Sequence, residues 1–456
     1  MGALEEIAQP TQSPSDDEPA CVNNTVAAPA ITIKPAWADW ALALSSKHDS
    51  QARAQLGLET DRPIVMSGHQ PIVFHNGILS KLIALDEASK RTSAQAVWVV
   101  PDQDAVDPGA IRVPTGSRET LSAELVELLP SGTLARGVSA GSIGSVPIVE
   151  PAHESLKPLA QWLDQYATIG SLAQQFGYAT IEYACDRLGI DTPRLIFASE
   201  LFSVDVLWGI IETMRADPAL CAQSYNKAVA QYPDAGVRAL AIGSDRIELP
   251  MWGCRPNEVR VGIDSTNIND FARDELMPKG LMMSAIARAH LADLFIHGAG
   301  GWVYDRISED WFADWLGIEL APMAMVSATH QLDLGFSPSE TVDADSALWQ
   351  LHHARHTPSM VGDGQTQACK DELVLQIRQL KPKAPQRAVL YRELQSLLDG
   401  YRQAHADELA GFALRAKRAQ GLARQYELAR DRTWSFVFFG QDALKALDRA
   451  TRQAMG

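Results

Sequence analysis

Three short turns concentrate the side chains able to do chemistry. The first runs from Gly68-His69-Gln70-Pro71 to His75-Asn76-Gly77. Its glycines let the backbone approach a ligand closely. Asn76 is expected to cap a following helix whose free N–H groups favour an anion. His69, Gln70 and His75 supply hydrogen-bonding groups, and imidazoles exchange protons near neutral pH. Lys81 falls one turn into that helix and is expected to face the same anion. A tight turn with a capped helix and incidental histidines is the alternative.

The second turn is Asp102-Gln103-Asp104 with Asp107. Clustered carboxylates can bind a cation, orient an amine or act as a general base. A solvated loop with aspartate as a local cap accounts for the same residues. The third is His297-Gly298-Ala299-Gly300-Gly301, followed by Tyr304 and Asp305. It is similar to a glycine-rich phosphate-binding turn, although it is neither a GxGxxG nor a P-loop. His69, Asp102, Asp104 and His297 are the catalytic candidates. The other polar residues and glycines of the first and third turns, with Lys81 and Tyr304, are candidates for binding substrate or nucleotide. His352, His353 and His356 include an i, i+4 pair suited to zinc, but no third ligand accompanies it, and a polar helix face explains it better. No metal site is assigned.

Each turn follows an apolar run that reads as a strand. Pro63–Ser67 and Ala96–Val100 flank a helix marked by Ile78, Leu82, Leu85 and Ala88, which makes a βαβ unit. Further strands are expected at Leu195–Phe197, Ala239–Ile242 and Leu294–Ile296, with a helix near Val204–Met214. Arg246–Pro250 and Glu258–Ile263 read as an antiparallel excursion. The expected fold is α/β, with a Rossmann-like parallel-sheet core and inserted segments over 31–340, after a disordered tail at 1–30. A C-terminal helical, coiled-coil arm and final helix fill 341–456. There Leu390, Leu394, Leu397, Tyr401 and Ala404 form a heptad seam, and Phe412, Ala416, Ala419, Ala423 and Tyr426 continue in shifted phase. One helix over Arg387–Arg430 would span roughly 65 Å and need a second helix or subunit to cover it. A homodimer through this arm is therefore expected, and a helix folded back on the core is the alternative.

Composition narrows the partners. The 456 residues carry a formal net charge of −16, from 56 acidic and 40 basic side chains. No basic face stands out beyond short mixed runs such as Arg415 to Arg418, so neither nucleic acid nor an anionic membrane is expected, and a small-molecule substrate is. The five cysteines are scattered without a CxxC, which suits reduced thiols in a cytoplasm. The opening MGALEEIAQP lacks the basic and apolar regions of a secretory leader. No run is long and apolar enough for a transmembrane helix.

The three turns, in this order, resemble the cysteine ligase family of bacillithiol biosynthesis (the BshC family). Gly68-His69-Gln70 and Asn76-Gly77 look like that family's Gly-Gln-Gln turn and following Thr-Gly. Ile78–Ala84 is similar to its next helix, with Lys81 at a lysine-bearing position. Trp98 and the acidic turn after it resemble Trp-Val…Glu-Asp-His-Asp. Met282 to Ala299 resembles a Leu-Met segment leading into Ile-x-Gly-Pro-Gly-Glu-x-x-Tyr, and the final third resembles a coiled-coil arm. Two positions depart: the acidic turn lacks its histidine, and Gly301 stands where the family has glutamate.

The resemblance implies a Rossmann-like core, a dimerising coiled coil and a ligase reaction that joins the carboxyl of cysteine to the amine of glucosaminyl malate. Such a reaction needs an activated carboxylate, a deprotonated amine and a stabilised oxyanion. An adenylating route would place a phosphate near Gly68–Asn76 or His297–Gly301; ATP fits that route, but no residue pattern requires it. A nucleotidyltransferase-like enzyme with another acceptor, or a non-catalytic dimeric binding protein on the same scaffold, are the competing expectations.

Overall fold

The computed structural model describes residues 28–44, 50–116, 120–335 and 344–456. Among them the strands are, in chain order, β1 (Ala30–Lys34), β2 (Ile64–Gly68), β3 (Gln95–Val100), β4 (Ala110–Thr115), β5 (Ser122–Glu127), β6 (Arg194–Phe197), β7 (Glu248–Gly253), β8 (Val261–Asp264), β9 (Leu276–Pro278), β10 (Leu294–His297) and β11 (Met323–Thr329). The α-helices of the first half are α1 (Trp37–Ala43), α2 (Ser50–Gln55), α3 (Asn76–Thr92), α4 (Lys157–Gln165), α5 (Leu172–Leu188), α6 (Ala198–Leu201) and α7 (Asp205–Ala216). Those that follow are α8 (Pro218–Gln231), α9 (Gly280–Ile286), α10 (Ala299–Leu316), α11 (Ala344–Ala354), α12 (Gly364–Gln379), α13 (Pro385–Ala404), α14 (Ala406–Ala429) and α15 (Gln441–Ala454).

The fold is mixed α/β. Its main sheet has six strands in the order β1-β11-β10-β2-β3-β6, all parallel except the edge strand β1. The apolar runs that mark β2 and β3 are continuous because helices cover both faces. Ile64, Met66, Val97 and Val99 point into a core shared with Leu207, Ile211, Trp311 and Phe312 of α7 and α10. On the opposite face α3 packs against the sheet, and α15 packs on α3 and α5. After the edge strand β1, the parallel part of the sheet starts in the middle at β2, steps outward through β3 and β6, then crosses back to β10 and β11 on the other side. Winding thus reverses between β2 and β10, so the loops at their carboxyl ends part and leave a crevice.

One expected strand is absent. Ala239–Ile242 is not a strand: Leu240 is buried while its neighbours are exposed, and one isolated bridge joins Ile242 to Ile247. The expected antiparallel excursion is present as β7 and β8, which join β9 in a separate sheet in the order β8-β7-β9. Conversely β1 and β11 had no clear signature. The expected tail at 1–30 lies outside the described residues except for 28–30, and β1 already begins at Ala30.

The chain divides into two compact units. Among the described residues the sheet unit takes 28–113, Glu124–Leu332 and Asp431–Gly456; the other takes Pro114–Ala123 and Asp333–Arg430. Residues 431–456, expected with the helical arm, therefore belong with the sheet. In the second unit α11 packs on α14 and α12 on α13, around Ala354, Ile377, Leu394, Leu398, Tyr401 and Leu409. The single helix envisaged over Arg387–Arg430 is two helices broken at His405, whose Nε2 lies 3.2 Å from the Asp363 carboxylate. Leu394 and Tyr401 of the heptad seam are buried, but Ala404 is exposed, and Leu398 rather than Leu397 joins them in the core. His356 accepts a hydrogen bond at Nδ1 from Arg402 (3.0 Å). Among the described residues no helix is long and apolar enough to cross a membrane.

Candidate functional site

The three turns meet around one cavity of about 400 Å³ at the carboxyl ends of β2, β3 and β10, on the crevice where winding reverses. Gly68, His69, Gln70, His75 and Gly77 reach it from the first turn, Gln103 and Asp104 from the second, and His297 through Gly301 with Tyr304 from the third. Helices α3 and α10 both start at its wall, so the positive ends of two helix dipoles lie at one space, although at α3 the Gly77 N–H is already taken by His75. Ser284 from α9, Ser327 from β11 and Arg432 from the C-terminal segment complete the lining. Ser284 falls within the Met282–Ala299 segment, whereas Ser327 and Arg432 belong to no motif and nothing local in the sequence marks them.

Close backbone packing fixes the glycines. A Cβ at Gly68 would sit 2.3 Å from the Val99 carbonyl oxygen, and one at Gly77 would lie 2.7 Å from the His75 ring. A Cβ at Gly301 would lie 2.4 Å from Nδ1 of His297. Gly298 and Gly300 meet nothing closer than ordinary contact.

The histidines of the first turn are neutral groups. His69 is half-buried, its Nδ1 3.4 Å from the Gln70 carbonyl. Burial, aided by the nearby Lys81 charge, lowers its pKa to about 3. The helix cap is His75 rather than Asn76: its Nδ1 accepts from the Gly77 N–H at 3.0 Å. Burial and the charges of Arg432 and Lys81 lower the His75 pKa to about 4. Asn76 is fully buried, pairs through Nδ2 with Nδ1 of His330 (2.9 Å), and does not line the cavity. It is therefore not positioned to bind a ligand there.

Lys81 is buried, donates to the Gly68 carbonyl at 2.5 Å and lies 5.3 Å from the Trp98 ring centroid. Burial brings its ammonium down to about 7. Arg432 donates to the Ser327 hydroxyl at 3.2 Å. Among the described residues neither cation forms an ion pair. The carboxylate on the wall, Asp104, is already held by Gln70 (2.7 Å) and Arg260 (3.3 Å). The cavity thus offers the guanidinium of Arg432, a lysine that is charged below about pH 7, and two helix N-termini inside a chain of net charge −16. That combination suits an anion.

Asp102 departs from the expectation. Successive residues of its turn diverge, and its carboxylate faces α6, where it accepts from the Ser199 N–H (3.0 Å) and hydroxyl (2.5 Å). It lines a separate depression with Ser142, Gln174 and Ser199. Burial pushes its pKa up to about 6 against the pull of those hydrogen bonds. Asp107 caps the Gly109 N–H at 2.9 Å and is absent from the cavity wall.

His297 is buried against Phe295 and Tyr304, with Nε2 3.0 Å from the Asp305 carboxylate. Asp305 is fully buried and also receives Arg288 (2.6 Å), Ser284 (2.5 Å) and Ser308 (2.7 Å). Burial alone would raise this carboxyl, but its pairing with His297, then with Arg288 and Ser284, holds it well below the usual range. Neither the models of known protein families nor the curated proteins match this chain.

Proposed function

We propose that this chain is a carbon–nitrogen bond-forming, ligase-like enzyme. It joins the carboxyl of cysteine, or of a similar amino acid, to the amine of an amino-sugar conjugate such as glucosaminyl malate, in bacillithiol-type thiol biosynthesis. The observation that carries the reading is the meeting of two helix N-termini, Lys81 and Arg432 with neutral imidazoles in one cavity at the switch of the sheet. An acyl carbon bearing a phosphate or adenylate from a nucleoside triphosphate would place its anionic leaving group at the helix N-termini. The amine nitrogen then bonds to that carbon, the leaving group departs with the bonding pair, and a side chain takes the surplus proton.

On this reading the sheet unit is a Rossmann-like core, the protein acts in the cytoplasm, and the helical unit forms a homodimer as a coiled-coil arm. Exposed Leu375, Leu414 and Leu422 on α12 and α14 favour such pairing. Thiol profiling of a deletion strain tests the function. Loss of one low-molecular-weight thiol with accumulation of its amino-sugar precursor supports it; an unchanged thiol profile counts against it.

A further inference from the structure

We propose that Asp305 is a positioning residue that makes Nδ1 of His297 the proton acceptor of the cavity, and that Gly301 keeps that nitrogen clear. The inference rests on the condensation reading for its chemistry, but its geometry stands apart. All the donors around Asp305 point at its carboxylate: Arg288 and His297 at Oδ2, Ser284 and Ser308 at Oδ1. A carboxylate so surrounded stays ionised and can only accept, so His297 must donate from Nε2. Its neutral tautomer then has a bare Nδ1. That nitrogen faces the first turn of α10, where any side chain at position 301 would collide with it.

The other imidazoles of the wall are less suited. His75 spends Nδ1 on the α3 cap, and His69 has no carboxylate behind it and sits beside the Lys81 charge. In the condensation, the amine nitrogen bonds to the acyl carbon, the phosphate or adenylate leaves with its electron pair, and the amine's surplus proton passes to Nδ1. The resulting imidazolium faces the Asp305 carboxylate, which lowers the cost of its charge. His297 and Gly301 therefore act as a pair: the histidine occupies the space that a side chain at 301 would fill.

Long-range ¹⁵N-histidine NMR on the full chain, with His297→Asn to assign the signal, reads the tautomer without turnover. In the neutral imidazole we expect Nε2 protonated and Nδ1 bare; the opposite neutral tautomer, with Nδ1 protonated and Nε2 bare, overturns the proposal even if the enzyme condenses its substrates. Gly301→Ala is expected to move the Nδ1 signal and to lower kcat of amide formation roughly tenfold or more with KM changed less than about twofold. A Gly301→Ala protein with wild-type kcat also overturns it. Absence of any condensation by the wild-type chain would remove the reaction but leave the tautomer result to decide the positioning.

Discussion

The ammonium of Lys81 donates to the carbonyl of Gly68 at 2.5 Å, which ties the second turn of α3 back to the last residue of β2. This bond holds a lysine inside the wall with no carboxylate beside it. Burial lowers its pKa from 10.5 to about 7. In that interval the unfolded chain binds a proton that the folded chain does not, so stability rises with pH from about 7 to 10.5. Below it, the cost of the buried charge is fully present. Urea titrations from pH 6 to 10 should show this rise in the wild type and its loss in Lys81→Met. Parallel pH dependences would contradict the assignment. Phosphate should stabilise the wild type more than Lys81→Met, since the anion pairs with the charged form.

The first turn separates two neighbours that sequence alone cannot tell apart. His75→Ala removes the α3 cap and should cost about 0.5–2 kcal/mol. Asn76→Ala leaves His330 unpaired in the interior and should cost about 1–3 kcal/mol without weakening ligand binding. His69→Ala should leave stability nearly unchanged and weaken binding or turnover. Denaturant midpoints and ligand titrations of the three variants check these outcomes.

The strands that carry the site were legible because buried parallel strands are continuous apolar runs: Ile64–Gly68, Gln95–Val100 and Leu294–His297 all read that way. Met323–Thr329 did not, since Ala324, Ser327 and Ala328 lack the β-branched and aromatic bulk that marks a strand. Turn chemistry was legible as composition but not as direction. Asp102 and Asp104 lie two residues apart and face different spaces, and His75 caps where Asn76 was expected. Arg432 and Ser327 reach the cavity from segments far along the chain, which only the folded topology brings to β2.

Asp102 offers a test of that divergence. Burial raises its pKa from 3.8 to about 6, so the folded chain holds a proton in that range that the unfolded chain has released. Its contribution therefore turns unfavourable as pH rises through this window. Asp102→Asn, which mimics the protonated form, should match the wild type near pH 4 and exceed it above pH 6 by about 1–3 kcal/mol. Turnover should stay within about twofold of wild type. A collapse of kcat would restore Asp102 to the chemistry.

The homodimer proposed for the helical unit predicts a particle of twice the chain mass by light scattering at micromolar concentration. Leu414→Glu with Leu422→Glu, both on exposed positions of α14, should shift it to the monomer while leaving the thermal transition of the sheet unit in place. A wild-type monomer at all concentrations would contradict the pairing.

If the cavity at the β2–β10 switch condenses an amino acid with an amine, the purified full chain incubated with cysteine, glucosaminyl malate and ATP should yield an amide-linked product by mass spectrometry. Its formation should consume ATP, be abolished or strongly slowed by His297→Asn, and persist in Asp102→Asn. No amide product from the folded wild-type protein, or equal product from His297→Asn, would contradict it.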